Sequence, residues 1–229
     1  MKGLEDISRI FAANTKKATI VSIILIIAVS YGLFYYLQNN TETDIRNSLY
    51  QQQEQRQIES TEALSRHIGS DLGSIMSKLE LLSNSATMQQ GMLVGNRTTD
   101  LLDKAYRQIN SITPLDRLFI LDKNNTVTTS IVAKDLPKFV GVNFSDRGWV
   151  RETIDTQMPV FSNGFQGMDG IYRIAITFPI INENSGEYLG LVAASLPTVS
   201  FFEHYGNIYD IKTQYLAVLD RNSVQLIHP

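Results

Sequence analysis

The chain contains no cysteine. Disulfides, thiolate zinc sites and cysteine nucleophiles are therefore excluded. Only three histidines are present, and His67, His204 and His228 stand too far apart for metal-ligand spacing. Basic residues are not in excess: 20 Lys and Arg stand against 23 Asp and Glu, for a net charge of -3, so nothing points to nucleic acid. The sequence has no Gly-rich phosphate loop, no Gly-x-Ser-x-Gly and no carboxylate pair at useful spacing. Asp122-x-Asn124 has the start of a calcium loop but not its glycine or closing glutamate, and it reads as a turn. These gaps argue against an enzyme, a metal site and a cofactor.

What is there begins with a membrane span. Ala18 to Leu37 carries no charge and is mostly aliphatic and aromatic. About 20 such residues cross a bilayer as a helix. Lys2, Arg9, Lys16 and Lys17 precede it, and Glu42 and Asp44 come after it. The positive-inside bias puts residues 1–17 in the cytoplasm and the bulk outside. Tyr31, Tyr35 and Tyr36 suit the outer interface. The competing reading is a cleaved signal peptide; the run is long for one, and no clean small-x-small site comes after it. Asn-X-Ser/Thr triplets at Asn39, Asn96, Asn124 and Asn143 are compatible with export.

Residues 41–112 are polar, helix-favouring and proline-free, and read as a helical stalk packing on the sheet module. Leu64, Ile68, Leu72, Ile75, Leu79 and Leu82 recur every three or four residues as one apolar stripe. Met88 to Thr99 breaks the pattern, and Leu101, Leu102, Tyr106, Ile109 and Ile112 resume it, with Asp100 as a cap. The stripe serves sheet packing, pairing with a second copy in a homodimer, or both. Gly69 and Gly73 weigh against a long regular coiled coil.

After Pro114 the period becomes that of strands. Leu118–Leu121 and Thr126–Val132 flank an Asp-Lys-Asn-Asn turn. Next come a loop over 134–143, a short Pro-Val-Phe-Ser strand, strands at Ile171–Ile181 and Tyr188–Leu196, and a short helix over Pro197–Tyr205. This is an α+β layout with helices on one face of an antiparallel sheet. LFILDKNNTV at Leu118–Val127 returns as YLAVLDRNSV at Tyr215–Val224, which signals a duplicated unit. The expected organisation is a span over 18–37, the stalk over 41–112, a sheet module over 113–209, and the first hairpin of a truncated second module over 210–229.

The stretch that invites chemistry is Asn143–Phe165, NFSDRGWVRETIDTQMPVFSNGF. Ser145 and Asp146 suit a helix start. Arg147 and Trp149 offer a forked cation and a flat apolar wall, the two parts that hold a small carboxylate. The plain alternative is that Arg147 pairs with Asp146 or Glu152 on the surface, where such pairs contribute little, and that Trp149 fills the core.

From about Thr41 onward the chain resembles the double Cache family, PAS-like extracytoplasmic sensor domains of chemoreceptors and histidine kinases. The resemblance rests on LDKNNTV, FSDRGWV, PVFSNGF, IAITFPII, YLGLVAASL and YLAVLDRNSVQLIHP in that order. It implies a long first helix, a membrane-distal module that usually holds the ligand and a membrane-proximal module. It also implies a second span and a cytoplasmic output domain. A subset of the family binds amino acids through Arg-x-Trp-Tyr, a later Tyr and a later Asp. Arg147 and Trp149 match; Val150 replaces the tyrosine, Phe165 stands for the later tyrosine, and Ser195 stands for the aspartate. The carboxylate half is kept and the ammonium half is lost. The resemblance therefore implies a small organic anion or carboxylate that needs no α-amino group. Tyr172 and Arg173 lie near the same cleft, and only one of them faces it in a regular strand. The expected ligand-binding set is Arg147, Trp149, Phe165, Tyr172 and Ser195. The rival expectation is a membrane-anchored interaction or structural domain with no small-molecule ligand.

Overall fold

A computed structural model describes residues 2–94, 98–208, 218–219, 222 and 225–227. The chain divides into two compact units, Met1–Thr61 and Glu62–Pro229. The first helix, α1, is Lys2–Ser83. In the first unit it is long and apolar enough to cross a membrane. Its large apolar side chains from Ile20 to Leu37 all face outward, as a lipid-facing helix requires.

In the second unit the end of α1 leads into α2 (Ala86–Val94) and α3 (Thr98–Asn110). Ser85 starts α2: its Oγ accepts the Met88 amide at 3.2 Å. Asp100 lies inside the first turn of α3 rather than capping it, where its charge still opposes the helix dipole favourably. The strands are β1 (Arg117–Asp122), β2 (Val127–Val132), β3 (Val160–Phe161), β4 (Phe165–Gln166), β5 (Tyr172–Ile181) and β6 (Tyr188–Pro197). α4 (Gly148–Thr156) lies between β2 and β3, and α5 (Thr198–Ile208) comes after β6. The sheet runs β2-β1-β6-β5-β3, every pair is antiparallel, and β4 also pairs with β5.

Alternation sorts the side chains onto two faces. Leu118, Ile120, Ile174, Ile176, Phe178, Val192, Ala194 and Leu196 face a core with Ile75, Leu79, Leu82, Leu102, Ile109, Phe201 and Tyr205. The stalk stripe therefore packs on the sheet, with Ile68 and Leu72 half-buried at its margin. Phe119, Leu121, Ala175, Leu191 and Ala193 face the opposite way, into a second core with Phe144, Trp149, Val150 and Val160. Helices thus cover both faces, not one: α4 closes the side away from the stalk. That is why β5 and β6 read as nearly continuous apolar runs, the pattern of strands buried on both faces.

Two local features hold the β1 hairpin. The Asp122 carboxylate accepts the amides of Asn124 and Thr126 at 2.9 and 3.0 Å, so it acts as a turn residue. Gly190, opposite Asp122 in the ladder, has φ +148, and a Cβ there would collide with the Leu121 carbonyl. His67 is not simply solvated: its ring stands edge-on to Tyr205 at 5.5 Å. Tyr205 in turn donates to Asp71 at 2.8 Å. β7 (Val218–Leu219) and β8 (Gln225–Ile227) form a separate antiparallel pair at the second copy of the repeat. Apart from Asn222, the rest of the expected 210–229 hairpin lies outside the described residues.

Candidate functional site

The site forms where odd-numbered positions of three strands meet α4. Arg117 pairs with Ser195 across β1 and β6, and Ser195 pairs with Ala175 across β6 and β5. Arg173 is two residues before Ala175 and pairs with Phe165 of β4. All of these therefore point to the α4 face. There they surround a hollow of about 30 Å³ lined by Arg117, Arg147, Arg173, Trp149, Phe165 and Ser195, with Phe119, Phe139 and Phe144 behind.

Arg147 is the N-cap residue of α4, in extended backbone, and no side chain caps the helix. Ser145 and Asp146 do not cap it because Arg147 stands at the N-cap position, and Ser145 is engaged elsewhere. Its amide binds Asn143 Oδ1 at 2.9 Å, and its hydroxyl accepts from Asn125 of the β1–β2 turn at 3.2 Å. The half-buried Arg147 side chain turns inward, donating to the Gln166 carbonyl at 3.5 Å with its guanidinium 5.9 Å from the Phe144 ring. It is Arg151 that reaches back to the Asp146 carbonyl, at 2.5 Å. Trp149 is 6 % exposed and sits about 6 Å from the rings of Phe119, Phe144 and Phe165. It is part of the core and also a wall of the hollow. Its Nε1–H and the Ser195 hydroxyl are buried and find no protein partner among the described residues. Buried polar atoms are normally paired, so two such atoms beside one hollow mark a place for another molecule's polar groups.

Of the expected set, Arg147, Trp149, Phe165 and Ser195 come together, and Tyr172 does not. Tyr172, at the exposed start of β5, is 50 % exposed and has the parity of the stalk-facing Ile174, and strand alternation brings Arg173 to the hollow in its place. The sequence reading missed Arg117, Asp116 and Asp169. Arg173 and Arg117 are 2 and 3 % exposed. Arg173 Nε donates to Asp116 Oδ2 at 2.5 Å, and its Nη1 and Nη2 fork onto Asp169, the second bond at 2.8 Å. Arg117 Nη2 also reaches Asp169, at 3.0 Å, and its guanidinium lies 4.5 Å from the centre of the Phe139 ring. Phe139 holds that position with φ 57, a strained backbone for a bulky residue. Burial lowers the Arg117 guanidinium from its usual range, and Asp116 and Asp169 work against that shift. For Asp169 burial also disfavours the charge, but the Arg173 hydrogen bond and charge, the Ile171 amide and Arg117 outweigh it and hold the carboxyl at about 2.

With this geometry in view, the chain can be placed. Residues 71–197, over half of the chain, match the family of HK/GC/chemotaxis protein-like sensor domains, and the chain belongs to that family. No curated protein sequence matches it. An extracellular ligand-binding receptor from Desulfohalobium retbaense aligns with TM-score 0.59 at 15 % identity, over 72 % of this chain and 29 % of that one. The ligand-binding domain of the Campylobacter jejuni chemoreceptor Tlp3, in complex with L-valine, aligns with TM-score 0.57 at 15 % identity, over 79 % and 72 %. The sensor domain of the Vibrio cholerae histidine kinase DctB aligns with TM-score 0.50 at 18 % identity, over 68 % and 60 %. At these identities the likeness establishes the fold, which is Cache-type and PAS-like, as the sequence motifs implied. The chain spans under a third of the Desulfohalobium receptor's length.

Proposed function

We propose that this chain is the ligand-sensing region of a membrane signal-transduction receptor, and that it binds a small carboxylate outside the cell. The observation that carries this is the wall of the hollow: three guanidinium groups, a tryptophan N–H and a serine hydroxyl, all donors, converge on one place. Among the described residues that line it, none is acidic. Arg147 forks onto the carboxylate, Trp149 and Phe165 wall the apolar part, and Ser195 supplies a further hydroxyl. No acidic side chain lines the site to require an ammonium group. The chain carries out no reaction; ligand binding shifts the first helix, and with it the span, between two arrangements of different affinity. Residues 1–17 face the cytoplasm, the sheet module occupies 113–209, and two copies pair through the stalk.

The size of the hollow favours a second reading. A water needs about 10–15 Å³ of such space, so the hollow as it stands takes roughly two waters. A membrane-anchored interaction domain without a small ligand needs no more. Titration of the full chain in detergent with short organic acids, followed by calorimetry, separates the two. The expected result is saturable binding that Arg147→Ala weakens about 10- to 100-fold, the loss of one charged hydrogen-bonding pair. Unchanged affinity in that variant refutes this assignment of the site, and no binding of any acid favours the second reading.

A further inference from the structure

We infer that Phe139 fills the seat of the ligand's apolar end, and that the group taking that seat is a flat aromatic ring. This rests on the carboxylate site proposed above and deepens it. The hollow measures about 30 Å³, whereas a cavity that takes a benzene-sized ring measures roughly 150 Å³. An organic acid therefore needs space from one of the walls.

The walls differ in how readily they give way. Arg117 and Phe119 stand on β1 and Arg173 on β5, inside a six-stranded sheet. Phe144 and Trp149 are each 6 % exposed and belong to the core. Phe165 is on β4, paired with Arg173. Phe139, in contrast, is half-buried on the irregular segment between β2 and α4, and its neighbours Lys138 and Val140 are exposed. That segment is tied at its ends: the Ala133 amide bonds the Asp116 carbonyl and the Gly141 amide bonds the Val127 carbonyl, both at 2.8 Å. Between these ties the Phe139 carbonyl accepts from Val142 of the same segment, at 3.0 Å. Backbone strain acts in the same direction. Phe139 has φ 57 and Asp135 has φ 68, in the left-handed region that disfavours a residue with a Cβ. Such strain persists only where the surroundings hold it.

What holds the ring shows what can replace it. Phe139 lies over the Arg117 guanidinium, 4.5 Å from its ring centre, and meets the Phe144 ring edge to face at 6.1 Å. Arg117 is 3 % exposed, so little water reaches it, and a ring face gives it a negative quadrupole that an alkyl chain lacks. A ligand ring restores both contacts as Phe139 leaves; an aliphatic group of the same size restores only the volume. One anionic group suffices, because Arg117 and Arg173 are already paired with Asp116 and Asp169. That group goes to Arg147, which bonds the Gln166 carbonyl and has further donors to offer. Its guanidinium is 5.9 Å from the same Phe144 ring, so one small molecule reaches both seats.

The full chain in detergent is titrated by calorimetry with benzoate and phenylacetate, each against its saturated match, cyclohexanecarboxylate and cyclohexylacetate, and with propionate as an acid without a ring. The expected result is that at least one aromatic acid binds about five- to tenfold more tightly than its match, the size of one desolvated cation–π contact. Phe139→Gly removes the ring and accepts the positive φ, and it raises that affinity about tenfold because the internal competitor is gone. Phe139→Leu, which keeps apolar bulk in the core, gives a smaller rise. Circular dichroism checks that each variant folds, and the matched pairs need no variant. Equal affinity within both pairs, or binding of propionate alone, overturns the aromatic inference and leaves the carboxylate site standing. No rise in any folded variant overturns the role of Phe139. Binding of no acid to any of the proteins overturns the carboxylate site, and this inference with it.

Discussion

Replacing Arg173 by methionine tests whether the charged cluster is a buried, mutually dependent unit. Methionine keeps much of the arginine stem's length and removes only the charge and the hydrogen bonds. Two carboxylates lose their closest partner, with unequal consequences. Asp169, at the hairpin tip beside solvent, keeps Arg117 Nη2 at 3.0 Å. Asp116, 7 % exposed, stays where it is. Its Oδ2 keeps only Arg117 Nε at 3.7 Å, and its Oδ1 already lacks a partner. Stranding one member of a buried pair costs about 3–5 kcal/mol, and the residual field of Arg117 puts this case near ~3 kcal/mol. For a folded unit of this size, that loss lowers the unfolding midpoint by about 6–12 °C. The assay is thermal unfolding of the full chain in detergent, followed by Trp149 fluorescence. Adding Asp116→Leu to Arg173→Met removes the stranded charge and is expected to recover more than half of the loss. A drop below about 3 °C for the single variant, or a double variant no more stable than the single, refutes the reasoning.

The remaining expectations concern pH and backbone. Asp169 titrates at about 2 in place of an ordinary 3.8. The folded value is the lower one, so the stability it contributes is whole above about pH 4 and is lost as pH falls through about 2. The full shift converts to roughly 2.4 kcal/mol, and solvent screening at the exposed tip reduces it to about 1 kcal/mol. Acrylamide quenching of Trp149 should therefore increase between about pH 4 and pH 2, and Asp169→Asn should flatten that step; an equal step in both proteins disproves the assignment. Gly190→Ala adds a Cβ against the Leu121 carbonyl at a residue with φ +148. It should cost about 2–4 kcal/mol in the same unfolding assay, and a near-neutral result would mean that β1 and β6 separate more easily than their register implies.

The apolar face of the stalk could be read in the sequence because helical period is a strong signal: Leu64 to Leu82 needed no partner to be recognised. The strands showed themselves by β-branched runs and turn residues. What the runs could not show was which core each side chain enters, because strands covered on both sides lose their alternation. Nothing in those runs gives α4 a face of its own. Arg147 and Trp149 stood out as a local pair, two apart. Arg117, Asp116 and Asp169 did not, because they meet only through strand pairing across gaps of some 50 residues. One clue was present: Arg117 is in phase with Phe119 and Leu121, and a charge in phase with buried residues needs a partner. The same parity rule, applied once β5 is placed, selects Arg173 over Tyr172.

A sensor must tie its ligand to its output through two arrangements that bind the ligand unequally. Register makes that tie short here. Ser195 faces the hollow, and Leu196 on the next peptide faces the core shared with α1; Arg117 and Leu118 stand in the same relation on β1. A strand displaced at one of these residues moves the other, because close-packed cores do not absorb shifts. Nearness alone is not coupling, since any buried sheet has two faces. On the side of the hollow, the β4–β5 tip holds Arg117 and Arg173 through Asp169. Those two arginines sit on strands that also carry stalk-facing residues, whereas α4 packs only on the side of the hollow. In the proposed function, the shortest physical connection from the hollow to the stalk therefore passes through Arg117, Arg173 and their strands, while α4 contributes Arg147 to the hollow alone.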